Sequence, residues 1–301
     1  MTAVDFDATP GTPARSAKNT NARHRRETIF KVVGLLATLV GLVALAALVL
    51  DLAVHGLPRL SWDFFLNFPS RRASGAGILS AWVGSLLVIF VTALIGVPLG
   101  VAAGVYLEEY ARKNILTNII EINVSNLAGV PSIIYGLLAL GLFVYQFGTG
   151  RSIFTAGLTL ALLILPIVIV ATREAIRAVP NALRDGALAL GATKWQVTRD
   201  HVYPASLPGI LTGVIIGVSR ALGETAPLIT IGAVTFVTFA PDSLSSPFTV
   251  LPIQIFNWVS RPQVEFQANA AAGIIVLLAL LLTMNAVAVI MRDRYQKKVR
   301  S

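Results

Sequence analysis

The sequence predicts an all-α integral membrane protein with six transmembrane helices, and three observations carry that expectation. Hydrophobic residues make up 55% of the 301 positions and charged ones only 13%, with a mean hydropathy of +0.75. Soluble domains carry about 25% charged residues, so this chain must bury its apolar surface in lipid as well as in itself. Six apolar stretches, near 32–50, 80–105, 124–146, 153–171, 208–239 and 270–291, reach or approach the ~20 residues that a helix needs to cross the hydrocarbon core. Lys and Arg gather at the flanks of these stretches, as membrane topology requires.

Residues 1–28 are rich in Thr, Ala, Arg and Asn with no apolar period, and read as a disordered basic tail. A first transmembrane helix follows over 29–54. Its run from Val32 to Leu50 exceeds the apolar core of a cleaved signal, about 7–15 residues, and no convincing cleavage site follows it. Spans two to six occupy 80–290. Pro98, Pro131 and Pro166 interrupt spans two, three and four and read as kinks, tolerated where neighbouring helices satisfy the freed carbonyls. Gly213 and Gly217 form a G-x-x-x-G in span five, a weak signal for close helix packing. Trp82, Tyr145 and Trp258 fall near span ends, where an aromatic belt belongs.

Six spans return both termini to one side, and basic residues decide which. Residues 1–31 carry Arg15, Lys18, Arg23, Arg25, Arg26 and Lys31, and the 292–301 tail carries Arg292, Arg294, Lys297, Lys298 and Arg300. The 172–207 loop adds Arg173, Arg177, Arg184, Lys194 and Arg199, whereas the opposite side has Arg151 and Arg261. The 51–79 loop is an exception, with Arg59, Arg71 and Arg72. The bias places both termini and the 172–207 loop in the cytoplasm. The same clustering argues against nucleic acid as the reason for the +9 net charge. With no cysteine, and with His24, His55 and His201 scattered, neither a metal centre nor a thiol site is expected. No catalytic residues are expected either: there is no G-x-x-x-x-G-K-[ST] loop for ATP and no clustered His or carboxylate motif within the spans.

Two segments carry the functional signal. Residues 181–204 form a charged, helix-patterned island between apolar stretches. Val179, Leu183, Ala187 and Leu190 mark one helix face, and Gly191 supplies a left-handed stop. Thr193 and Gln196 then match a capping box that opens a second short helix, which Tyr203-Pro204 ends. An ordered amphipathic hairpin suits a docking surface; the plainer alternative is a helix lying on the membrane.

The second segment holds Arg220 and Glu224, the two ionisable residues deep within the apolar stretches. If span five begins near Pro208, Arg220 lies about 18 Å along it, close to the bilayer midplane. An arginine there costs about 2.5–3.5 kcal/mol. Mutual neutralisation across one helix face would allow the pair to survive, but leucines would serve packing as well. An oxyanion pathway gives the guanidinium a purpose, because its planar fork donates paired hydrogen bonds to such groups.

The first segment resembles the EAA loop of binding-protein-dependent ABC importer permeases. Asp185-Gly186-Ala187, three residues and then Gly191 stand where that family has Glu-Ala-Ala and a glycine. The run from Ser219 to Leu228, SRALGETAPL, looks like a segment of the phosphate-specific permeases within that family. So do Asn126 to Gly136 (NLAGVPSIIYG), Tyr106 to Ala111 (YLEEYA) and Leu251 to Trp258 (LPIQIFNW). The resemblance implies a type I ABC importer permease fold with a coupling hairpin between spans four and five. It implies coupling to an ATPase through Asp185, Gly186, Ala187, Gly191, Thr193 and Trp195, and a substrate pathway through Arg220, Glu224 and Thr225. It also implies partners: a sister permease, an ATP-binding subunit dimer that holds ATP and Mg, and an extracytoplasmic phosphate-binding protein. This chain would carry no cofactor. The implied place is the bacterial inner membrane. Alternatives are the same machine with sulfate, molybdate or an organic substrate as cargo, a secondary transporter, for which no internal repeat is visible, and a membrane-embedded enzyme.

Overall fold

The computed structural model describes the backbone of residues 17–112, 114–234 and 236–300, and the side chains of 26–112, 114–234 and 236–294. Among these residues every regular element is helical. Five helices are long and apolar enough to cross a membrane, or six if one bent pair counts as a single span.

The chain divides into two units, Met1–Asp51 and Leu52–Ser301. Helix α1 (Ala17–Gly56) fills the described part of the first. It begins earlier than expected, so residues 17–28 are helical, whereas residues 1–16 lie outside the described structure. Its apolar side chains, such as Leu36 and Leu45, are exposed, as lipid-facing groups are.

In the second unit α2 (Trp62–Leu66) is capped by Ser61, whose hydroxyl accepts from the Phe64 amide. Helix α3 (Leu79–Val105) runs through Pro98 and ends in a π-helical turn, Tyr106–Tyr110. The third apolar stretch bends far more sharply than a kink. It is α4 (Ile115–Leu127) and α5 (Ser132–Ala139, extended by a π turn to Gln146), bent by 107° at a break that contains Pro131. Pro131 cannot donate a backbone hydrogen bond and pushes Val130 out of helical conformation, while Tyr135 Oη donates to the freed Leu127 carbonyl at 2.8 Å.

Helix α6 (Ile153–Arg177) keeps its proline, Pro166, within an unbroken helix. The short α7 (Asn181–Ala189) and α8 (Lys194–Gln196) lead through a π turn, Val197–Val202, into α9 (Tyr203–Gly223). Then come α10 (Ala226–Thr230), α11 (Leu251–Val259) and α12 (Glu265–Arg300). The 208–239 stretch is therefore not one span: its helix stops at Gly223.

Small residues set the core. A Cβ at Gly100 or Gly104 of α3 would meet Val168 or Thr172 of α6 at 2.8 and 2.6 Å, so these two helices pack almost backbone to backbone. Along α9, Gly209 and Gly213 face Ala175 and Ala171 of α6, and Gly217 faces Val168. The G-x-x-x-G expectation holds: in lipid such stripes admit the close van der Waals packing that replaces the hydrophobic effect.

One expectation at a span end needs correction. Trp258 is fully buried among Phe64 and Phe266 and does not sit in a belt. Arg59, one of the three arginines that broke the charge bias, donates to Asn269 Oδ1 at 2.6 Å and to the carbonyls of Ala73, Ser74 and Ala76. Its charge is spent on internal structure, which is why it is a poor marker of sidedness.

Candidate functional site

The hairpin is built by local bonds. Pro180 precedes the first turn of α7, where the missing amide hydrogen costs nothing. At the other end Gly191 has φ +84°. Its amide donates to Leu188 O at 3.0 Å and the Ala192 amide to Ala187 O at 3.1 Å, the paired closure of a left-handed helix stop. The Thr193 amide donates to Gln196 Oε1 at 2.8 Å, and the Gln196 amide returns to Thr193 Oγ1 at 3.3 Å. The expected stop and capping box are both present.

The inner side of the hairpin is a small apolar cluster of Ile176, Val179, Ala187, Val197 and Val202, with Val105 and Ala192 against it. Leu183 and Leu190, expected on the same buried face, are 40% and 91% exposed. Helix α7 ends at Ala189, so Leu190 leaves the face, and the second arm supplies Val197 and Val202 in its place. Leu188, Leu190 and Trp195 stand in the open, three large apolar groups on one short loop. Asp185 is exposed beside them. A Cβ at Gly186 would meet nothing within 4 Å, so the missing methyl leaves packing untouched. Tyr203-Pro204 does not end the second arm. The π turn before it absorbs the irregularity, and Pro204 falls in the first turn of α9, where proline is tolerated. One helical path thus runs from Lys194 to Gly223.

The far end of that path holds the charged pair. Helix α9 stops at Gly223 because Pro227, four residues on, has no amide hydrogen for the Gly223 carbonyl. Glu224 becomes extended, with φ −74° and ψ 129°. Arg220 therefore sits in the last helical turn and not at mid-helix, where its cation faces the negative end of the helix dipole. The order of the two charges, unhelpful within a continuous helix, is favourable here because Glu224 lies outside it.

Arg220 Nε donates to Glu224 Oε1 at 3.2 Å, and the side chains are 42% and 16% exposed. The terminal guanidinium nitrogens make no hydrogen bond among the described residues. Thr225 opens α10 without using its hydroxyl as a cap. The break thus presents a neutral ion pair with a free cationic fork and a free hydroxyl.

Two further residues, which the motif reading left without roles, frame this break. A Cβ at Gly136 of α5 would meet Pro227 Cα at 2.6 Å and Pro227 O at 2.7 Å, so α10 rests directly on α5. The neighbouring Tyr135 is buried and ties α5 to the Leu127 carbonyl at the end of α4. The motifs at 126–136 and 219–228 are one structural feature. On α12, Asn285 accepts from the Ser219 hydroxyl, which fixes α9 next to Arg220.

Comparison with known proteins agrees with this architecture. Residues 96–301 match the model of the family described as binding-protein-dependent transport system inner membrane component. A probable ABC transporter permease protein, YqgI, of Bacillus subtilis is 33% identical, covering 84% of this chain and 90% of its own. The phosphate transport system permease protein PstA of Pasteurella multocida is also 33% identical, over 88% and 94%. Among solved structures, a chain of a bacterial alginate ABC transporter, in complex with an alginate pentasaccharide-bound periplasmic protein, superposes with a TM-score of 0.67 at 15% identity. That match covers 90% of this chain and 96% of the other. With its broken spans, its capped hairpin and two-thirds of its length matched, this chain belongs to the binding-protein-dependent transport system inner membrane components.

Proposed function

We propose that this chain is the phosphate-conducting permease of an ATP-driven importer, with Arg220, Glu224 and Thr225 on the pathway. The observation that carries the reading is the half-exposed Arg220 fork, ion-paired on one edge and open on the other, at a break between α9 and α10. Relatives named as phosphate transport permeases support phosphate as the cargo. Arg220 offsets the charge of passing phosphate. Glu224 keeps the empty site near neutral, so the anion is not held too tightly, and the Thr225 hydroxyl adds a donor.

Phosphate moves by alternating access. A sister permease completes the pathway opposite Arg220, an extracytoplasmic phosphate-binding protein delivers the ion, and an ATPase dimer holding ATP and Mg closes beneath the hairpin. Asp185, Gly186, Gly191, Thr193 and Trp195 form the docking surface, which the buried Ala187 supports from beneath, and the exposed Leu190 and Trp195 suit a protein partner. Both termini then lie in the cytoplasm, with 80–290 as the transporting domain, 292–301 as a basic tail and 1–28 as a basic leader of the first span.

The test is phosphate uptake into vesicles that hold the reconstituted complex, ATP and the binding protein. Arg220→Gln should lower uptake by about 10- to 100-fold, the worth of a lost charge-assisted hydrogen bond, while the complex still assembles. Near-normal uptake refutes the pathway role. Uptake that sulfate or molybdate supports equally well moves the reading to another oxyanion.

A further inference from the structure

The YLEEY turn at the end of α3 has no part in the pathway, yet it gathers the densest set of charged bonds in the described structure. It is a π-helical turn, Tyr106–Tyr110, a local form common at functional positions. Glu109 accepts from Arg184 Nε at 3.2 Å and Nη2 at 2.9 Å. Arg184 lies in the first arm of the hairpin, beside Asp185, and also donates to the carbonyls of Ile176 and Val179 at the end of α6. Tyr110 presents its ring to Lys194 Nζ, 5.2 Å from the centroid, on the second arm. Glu108 accepts two bonds from Arg177 of α6, at 3.1 and 3.0 Å, and lies 3.4 Å from Arg173. Arg173 in turn reaches Glu121 of α4 at 2.8 Å.

Three consecutive residues thus hold three different things: Glu108 the end of α6, Glu109 the first arm and Tyr110 the second. The Glu109 and Arg184 side chains are only 9% and 18% exposed, and Arg173 is 8% exposed, so salt screens these pairs far less than surface ones. Their geometry is specific too. Two donors of the Arg184 guanidinium, Nε and Nη2, converge on the one oxygen Oε1 of Glu109, while Arg177 bonds both oxygens of Glu108, and a lysine reproduces neither.

We propose that this turn is the receiver of the hairpin: it grips both arms and passes their displacement to α3, α4 and α6, so Glu109 and Tyr110 are positioning residues for coupling. The proposal rests on the docking reading above. A mere scaffold needs no separate grip on each arm, since the apolar cluster under the hairpin already holds it.

The experiment uses the reconstituted complex with Glu109→Gln and, separately, Tyr110→Leu. Three quantities are read for each: ATPase subunit co-isolated, ATP hydrolysed and phosphate imported per ATP. Glu109→Gln keeps the size and removes the charge, and Tyr110→Leu removes the ring that Lys194 meets. Both variants should retain the ATPase and hydrolyse ATP, while phosphate per ATP falls about tenfold, within the usual range for coupling between two sites. Tyr110→Phe keeps the ring and should behave as wild type. Arg184→Lys should resemble Glu109→Gln. Wild-type phosphate per ATP in both variants overturns the proposal, and so does failure of both to assemble, which marks a plain scaffold. If Trp195→Ala binds the ATPase as well as wild type does, the docking reading itself has failed.

Discussion

The hairpin and the helix break around Arg220 solve the same local problem in opposite ways. Each ends a helix at or near a glycine and restarts another within a few residues. At Gly191 the chain closes freed groups on both sides itself, through the two bonds of the left-handed stop and the two of the capping box. At Gly223 the chain turns without a left-handed residue, and it leaves a guanidinium fork and a hydroxyl free among the described residues. A loop that must transmit force gains from being saturated, because unsatisfied groups would let it change shape. A site that must hold and release an anion gains from being left open.

The contrast can be broken most severely at Gly136. Valine there would drive its Cβ into the backbone of Pro227 and displace α10 from α5. Phosphate uptake should fall below detection even where the ATPase still co-isolates, because the hairpin is untouched. A pathway that tolerates Gly136→Val would show that the break needs no exact seat.

Next in size is Gly191→Val. A β-branched residue at φ +84° strains the stop by about 1–2 kcal/mol. ATP hydrolysis should persist while phosphate imported per ATP drops in vesicles. Unchanged coupling would mean that the hairpin transmits nothing through its fixed shape.

The smallest expected effect sharpens the comparison instead. Gly186 lies mid-helix with open space where a side chain would go, so Gly186→Ala should stabilise α7 by about 0.5–1 kcal/mol. A thermal melt should shift upward with transport unchanged. A loss of transport would show that the ATPase reads this position directly.

What was legible in the sequence was whatever is encoded within a few neighbouring residues. The left-handed stop at Gly191, the Thr193–Gln196 box and the Arg220–Glu224 pair follow from spacing alone, and the first two stand in the structure as expected. The G-x-x-x-G also found its partner helix. Longer-range facts were hidden. Pro204 and Pro98 look like breaks but lie inside helical paths, whereas Pro131 and Pro227 stand where theirs break, and no local pattern separates the two kinds. Arg220 moved from mid-helix to helix end because its fate was decided seven residues later, at Pro227. The bonds from Glu108 and Glu109 join residues 65 or more positions apart, and no local pattern announces such pairs. Trp258 was misread for the same reason: an aromatic ring near a span end can serve the protein interior as readily as the interface.

One feature of the fold reaches beyond either region. The helical path from Lys194 to Gly223 covers 30 residues, about 45 Å at the α-helical rise, and its small-residue stripe presses α9 against α6. That rod begins at the second arm of the hairpin and ends at the guanidinium. Its irregular points are the π turn near the hairpin and Pro208 inside α9. If the hairpin moves in transport, its tilt reaches the arginine along this one helical path, which the packing against α6 holds in line.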